Sequence, residues 1–411
     1  MKIKTKAFNV LIVFLIAALV FPCFMVGASA AGFKAGDVVK LGSYPQSLVT
    51  DEKLIANLNS LSLSWVSYGY YYGTSYGYDG EMRPGDYWRY ADAEYNGKKY
   101  RAVILDAYRP DETSAMVSTE EKASKTYKLG TVYWFSYDPV EWMVLDADSG
   151  LVLSKLILDA QPFNNYAISN PDKYDSETGS SRLCIAGDPE MNYYAADYVH
   201  SSLRKWLTSD FFETTFSAEE SADILTSTLD NTGYFTLNSK SDGEELDFES
   251  TNDKIFLLSY ADLYSGDIFE SWSPAIESYN KHYFDGDDTL FDEAAGTDYA
   301  ECQGLYMNKN QESSAFGLAS WSLRTAMHSG GICCVGADAH IVTTEINTGG
   351  IRPAMKISLD GKSVAHGESG GSVGGSPAVK IAYAAIAGGA ALIAAGVIIA
   401  VVKFKKEKAN K

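Results

Sequence analysis

The chain has 411 residues with 53 acidic against 34 basic side chains, a formal net charge of −19. So acidic a balance repels nucleic acid and anionic lipid, and no nucleic-acid partner is expected. The length allows one large domain or two smaller ones.

The N-terminus places Lys2, Lys4 and Lys6 before an apolar run from Phe8 to Val26, then Ala28-Ser29-Ala30. A positive start, an apolar core and small residues before a cut predict a secretory signal over residues 1–31. Cys23 follows Val20-Phe21-Pro22, which lacks the small residues of a lipobox. Next, Val38–Gln46 reads as a strand ended by a proline turn, and Leu54–Leu63 as a short helix. The stretch Trp65–Tyr90 interleaves eight tyrosines and two tryptophans with Gly, Ser and Asp. Lys99–Tyr108, Thr131–Tyr137, Glu141–Asp146 and Gly150–Leu158 are rich in β-branched and aromatic residues, which predicts strands. Asp148-Ser149-Gly150 between the last two predicts a hairpin turn.

Ser201–Leu207 predicts an amphipathic helix with serine at its cap and Leu203, Trp206 and Leu207 on one face. Ser217 with Glu220 forms a capping box before Ala218–Leu225. Lys254–Tyr260 reads as an apolar strand, and 265–299 as irregular and acidic. The last strands expected are Ser320–Thr325, Ile332–Gly336, His340–Glu345 and Ile351–Leu359. Residues 361–379, rich in Gly and Ser, form a flexible stalk.

Ile381–Val402 then runs 22 residues without a charge. At about 1.5 Å per residue this covers roughly 33 Å, enough to cross a bilayer core. Lys403, Lys405, Lys406, Lys408 and Lys411 follow, so the tail 403–411 is expected in the cytoplasm and the preceding chain outside. Removing the three signal lysines and, from the tail, five lysines and Glu407 leaves 26 basic against 52 acidic residues. The exterior domain, 32–360, is therefore near −26, carried on a transmembrane helix at 380–402. Many short strands, few helices and long loops predict a mixed α+β domain.

A series of segments resembles the surface domain catalogued as domain of unknown function 6273. They are Leu41–Gln46, Glu141–Asp146, Leu153–Lys155 with Leu158-Asp159, and Gln161–Asn164. They continue as Ser202–Leu207, Asp253–Ser259, Thr297–Ala300, Trp321–Thr325 and Gly350–Ala354. The Tyr-rich region, at about 47–130, reads as an insertion within that series. The ending, Trp-x-Leu-Arg and then Gly-x-Arg-Pro, also resembles C-type-lectin-like and formylglycine-generating-enzyme-like folds. That resemblance implies a C-type-lectin-like arrangement and no activity. The sugar-binding calcium signatures of true C-type lectins are absent. Cys333-Cys334 does not match the catalytic cysteine pair of the second fold.

Candidate sites follow from residue chemistry. Tyr and Trp give rigid contact area at low entropy cost, so ligand stacking is assigned to Trp65, Tyr70, Tyr71, Tyr72, Tyr76, Tyr78 and Trp88. The alternative is that these rings pack the insertion onto its own domain. Trp206, Trp321, Arg324, Arg352 and Pro353 form a structural motif, with the two arginines as buried guanidiniums bonding loop carbonyls or carboxylates. Export permits disulfides among Cys184, Cys302, Cys333 and Cys334, with the adjacent pair reaching back to the other two. His328, Cys333, Cys334 and His340 hold the residue types of a zinc site, but adjacent cysteines fit tetrahedral ligation poorly, and no metal is assigned. Asp285, Asp287, Asp288 and Asp292 suit calcium chemically, yet they miss the EF-hand spacing and read as a solvated loop. No cofactor is expected.

There is no His-Glu-x-x-His, Walker loop or Rossmann fingerprint. The leading reading is a non-enzymatic, membrane-anchored binding module that contacts carbohydrate or protein at the cell surface. The alternatives are a cell-envelope hydrolase using an unrecognised carboxylate pair, and a purely structural surface protein.

Overall fold

A computed structural model describes residues 32–67, 88–106, 127–164, 167–175, 180–185, 193–235, 244–246, 248–265, 280–281, 294–308, 317–328, 330–337, 341–345 and 348–367. The architecture is sheet-rich with a few short helices, an α+β arrangement. Its first elements are β1 (Val38–Leu48), helix α1 (Glu52–Asn59), β2 (Val66–Ser67), β3 (Trp88–Tyr95), β4 (Lys98–Leu105), β5 (Val132–Asp146) and β6 (Leu151–Ser154). Among the described residues no helix is long and apolar enough to cross a membrane. The signal-like residues 1–31, the run Ile381–Val402 and the tail lie outside them.

A ten-stranded sheet organises the molecule. Its path runs from Ile224–Leu225 through Ala354–Ile357 to β6, β5, β4, β3 and β2, with β1 paired to β5. Strand β1 carries Val38, Val39, Leu41 and Tyr44 inward. It does not end at its proline as the sequence suggested, but continues to Leu48. Bulges between Lys40 and Ser43 and between Pro45 and Ser47 absorb the missing N–H. For the same reason β5 is one strand and not two. Its Pro139 lies in the stretch that pairs with β1 alone, and the Gln46 side-chain amide donates to the Asp138 and Pro139 carbonyls.

Alternation along β3, β4 and β5 gives the sheet two apolar faces. Trp88, Val103, Leu105 and Phe135 point into the main core. Ala91, Tyr100, Ala102 and Trp134 point the other way, where Leu58 of α1 covers them. Helix α1 starts at Asp51, whose carboxylate accepts from the Lys53 and Leu54 N–H groups. Trp134 Nε1 donates to Asn59 Oδ1 at 2.8 Å, locking the far end of that helix to the sheet. The Tyr-rich segment therefore ends in an integral strand, since β3 begins at Trp88 and pairs with the whole of β4.

The hairpin between β5 and β6 turns at Asp146–Gly150. Asp146 accepts from Asp148 N and Ser149 Oγ, and Gly150 adopts φ +70°. A Cβ at Gly150 would lie 2.1 Å from the Ile357 carbonyl oxygen. Gly150→Ala is therefore expected to lower stability by about 1–2 kcal/mol for the left-handed backbone alone, and by more once the clash is included. Gly97→Ala, at φ +73° with nothing within 4 Å, should cost only the backbone part. Urea unfolding of the two variants measures the difference.

A second sheet of five strands follows the order Ile341–Glu345, Gly331–Val335, Trp321–His328, Thr348–Ile351 and β7 (Asp159–Pro162). The chain crosses back at Arg352-Pro353 into the first sheet, so the two sheets share one core. At the C-terminal end, Ala365–His366 pairs with Val39–Lys40, and Gly367 N donates to the Val38 carbonyl. Both ends of the described region thus leave from the same end of the sheet.

Candidate functional site

The stacking residues expected from the sequence do not form one surface. Trp88 is 1 % exposed and belongs to the core, so it is corrected from a ligand contact to a packing residue. The physical reason is register, because strand alternation aims it to the buried side of β3. Trp65 is half-buried against the smaller core, with the Arg89 guanidinium 5.6 Å from its ring centre. Tyr70, Tyr71, Tyr72, Tyr76 and Tyr78 lie outside the described residues.

Trp206, Trp321 and Pro353 are buried. Arg324 Nη1 donates to the Leu257 carbonyl at 2.7 Å and to Asp262 at 2.5 Å, and its Nε and Nη2 reach the Asp230 carbonyl. Arg352 Nε donates to the Ser154 carbonyl at 2.7 Å, with the guanidinium over the Trp321 ring. Each guanidinium ties a loop to a strand with directed donors where apolar packing alone cannot satisfy the carbonyls.

Among the described residues no disulfide joins Cys184, Cys302, Cys333 and Cys334 to one another, and all four are buried. Cys302 and Cys333 join the main core, and strand alternation turns Cys334 to the opposite face from its neighbour. Burial pushes the Cys302 and Cys333 thiols well above their ordinary value, which keeps them protonated. Among the described residues no group of three or more His, Cys, Asp or Glu is arranged to hold a metal. His340 and the acidic run Asp285–Asp292 lie outside them.

One surface cluster combines an exposed aromatic ring with an oriented imidazole. The segment after the hairpin strand Ser180–Ile185 is tied back by the bridge between Cys184 and Tyr194 and by Ile185 N donating to the Tyr193 carbonyl. A turn then brings Asp197 N to the Tyr194 carbonyl, and Ser201 Oγ caps the helix Ser202–Trp206 by accepting from Arg204 N. Within that turn Asp197 accepts from Val199 N at 2.8 Å, and its other oxygen lies 2.7 Å from His200 Nδ1. The Asp197 side chain is 4 % exposed and that of His200 34 %. The Tyr193 and His200 rings stack at 3.5 Å with an 18° interplanar angle, and Tyr193 is 40 % exposed.

Burial raises the Asp197 carboxyl above its ordinary range, opposed by its hydrogen bond to His200. Behind the dyad, Arg204 forks onto both oxygens of Asp253 at 2.8 Å and donates to the Val199 carbonyl at 2.9 Å. The arrangement holds a partly exposed imidazole flat on a tyrosine, with its Nδ1 engaged by the carboxylate. Sequence reasoning missed it. The readable signal was Asp197-x-x-His200 immediately before the Ser201 cap, but Tyr193 joins the pair only through the hairpin bridge.

A polar seam joins the segment before residue 151 to the segment after it. Tyr44 Oη donates to the buried Asp159 at 2.6 Å, and Arg101 pairs bidentately with Asp92 while Nη1 donates to Tyr299 Oη at 3.3 Å. Asp298 accepts from Leu48 N at 2.9 Å. Burial raises the Asp298 carboxyl, the Leu48 bond opposes this, and nearby Asp138 adds to it. A folded-state value above the unfolded one means that its ionised form disfavours folding. Its favourable contribution is present at low pH and lost as pH rises through the folded value. Asp298→Asn keeps the acceptor for Leu48 N and is expected to raise the thermal midpoint at neutral pH. That gain should vanish well below the ordinary aspartate value of 3.8.

Residues 151–359 match the family described as Domain of unknown function (DUF6273). Searches of curated proteins and of solved structures find no match. The match covers half of the chain, from β6 to the end of the strand Ala354–Ile357, and it contains the Tyr193–His200 cluster. The chain belongs to the DUF6273 family.

Proposed function

We propose that this protein is a membrane-anchored extracellular binding module that contacts carbohydrate or protein at the cell surface through the Tyr193–His200 pair. The observation that carries this reading is the flat stack itself. An exposed tyrosine is fixed against an imidazole whose orientation a buried carboxylate holds. Such a surface offers a rigid aromatic face and a hydrogen-bonding nitrogen at little entropic cost on binding. Anchoring rests on the signal-like start and on Ile381–Val402 with its lysine tail. A domain whose two ends leave side by side, at β1 and Ala365–His366, suits display on a stalk. In this reading the domain is C-type-lectin-like, as its closing Trp-x-Leu-Arg and Gly-x-Arg-Pro segments suggest.

The test is a glycan and cell-wall array probed with the full chain in detergent, beside the double variant Tyr193→Ala/His200→Ala. The expected result is a signal from the native chain that the double variant loses. Equal signals from both proteins would remove the proposed contact.

A further inference from the structure

The family match begins at Leu151, in the middle of a sheet. Strand β6 is buried at all four positions and lies between β5, from the preceding chain, and Ala354–Ile357, from its own side of the match. Without β5 it would present an unpaired row of backbone groups and an uncovered apolar face. The preceding chain brings more than that one strand. Gly42 N donates to Glu220 at 2.9 Å, and a Cβ at Gly42 would lie 2.8 Å from the Phe216 ring, so only glycine fits there. Trp142 stacks on Phe216 with ring centres 6.1 Å apart, and Tyr44 meets Phe211 and Tyr299 at 5.0 and 5.7 Å. Tyr127 Oη donates to the Asp298 carbonyl at 3.0 Å. Along its other edge β1 receives Ala365–His366. The covalent link between the two pieces is, by contrast, one turn, Asp146–Gly150, with Asp148 exposed.

We infer that the face of residues 151–367 that receives β1 and β5 is an interaction surface for one partner, residues 32–146 of the same chain, and that the two pieces hold together without the peptide link between them. Recognition combines strand addition on β6 with aromatic packing on Phe211, Phe216 and Tyr299. An interface of this kind resembles a domain core cut in half, which is the character of obligate complexes. The folded unit therefore begins well before the family match, and the match delimits one of its two pieces.

The test uses the full chain in detergent with a protease recognition sequence inserted between Asp148 and Ser149, since exposed loop tips tolerate insertion. After cutting, the two pieces are expected to elute as one species, with the Met143 and Leu153 amides exchanging as slowly as in the uncut chain. The thermal midpoint should become dependent on protein concentration once the chain is cut, because unfolding then releases two molecules. Pieces separated in urea and remixed should return to the same species. Tyr44→Phe takes the donor from the buried Asp159 and should weaken that reassembly about tenfold. Arg89→Leu removes a pair that lies within one piece and should leave reassembly unchanged. Should the insertion prevent folding, residues 32–148 and 149–411 are produced together in one cell, and they are expected to copurify.

Separation of the cut pieces in native buffer, or elution together with fast exchange at Met143 and Leu153, would overturn the inference. So would failure of the coproduced pieces to copurify. Reassembly as strong in Tyr44→Phe as in Arg89→Leu would place the contact elsewhere and overturn it as well.

Discussion

A fragment of residues 151–359 produced without the preceding chain is expected to stay unfolded, although it is the part that matches the family. It begins one residue after the β5–β6 turn and so discards the strand on which β6 depends, through Trp142–Ser154, Met143–Leu153 and Val144–Val152. The main core would lose Val39, Leu41, Tyr44, Trp88, Val103, Leu105, Phe135, Val140 and Trp142 at once. Burying each such side chain stabilises by about 1.5–3 kcal/mol, so the loss exceeds the roughly 5–15 kcal/mol by which domains are stable. The seam adds to this, because Tyr44 no longer donates to Asp159 and Arg101 no longer reaches Tyr299. Circular dichroism with urea titration checks it. Residues 32–367 should unfold in one cooperative step and 151–359 should show none, whereas a cooperative transition in the shorter fragment would refute the shared core.

The second large effect is expected at Arg324. Its guanidinium is 3 % exposed and supplies donors to two backbone carbonyls and to Asp262. Arg324→Leu keeps much of the volume but leaves the Asp230 and Leu257 carbonyls and one carboxylate without their donor. Asp262 is 32 % exposed and keeps its bond from Ser259 N, so the cost falls on the Leu257 carbonyl, buried and left unsatisfied, at about 1–3 kcal/mol, and on the lost packing of the buried side chain. Arg89→Leu is the comparison, because Arg89 and Asp106 are 38 % and 34 % exposed and a surface pair contributes about 1 kcal/mol or less. Urea midpoints of the two variants should differ accordingly, and equal midpoints would show that Arg324 is no joint.

Local elements were legible where a short segment contains its own cause. The turn Asp146–Gly150 was readable because aspartate, serine and glycine encode the side-chain bonds and the positive φ that it adopts. Ser201 likewise announced the helix that it caps. The chain's family was readable from segments spread along it, and the match from 151 to 359 confirms that membership. Leu41–Gln46 and Glu141–Asp146 precede that match and lie in β1 and β5, two strands that pair with each other through neighbouring residues.

The rest depended on partners far away in the chain. Strand β3 was hidden in the Tyr-rich stretch, since its tyrosines and tryptophans suit either a surface or a half-buried sheet. Its pairing with β4 decided between them and buried Trp88. The proline in β1 read as a break and β5 as two strands, because bulges and a one-sided pairing cannot be seen locally. The disulfides expected among the four cysteines needed tertiary proximity that cysteine counting does not supply. The Tyr193–His200 stack was invisible for the same reason, as a bridge between Cys184 and Tyr194 positions the tyrosine.

The most direct test of the binding account is a footprint on the folded protein. The full chain, labelled with ¹⁵N in histidine and ¹³C in the tyrosine rings, would be titrated with whichever array ligand it captures. Perturbations centred on Tyr193 and His200, with Trp65 and Arg89 unaffected in parallel tryptophan and arginine labelling, are the result expected. Perturbations that bypass Tyr193 and His200 and gather elsewhere would contradict the account.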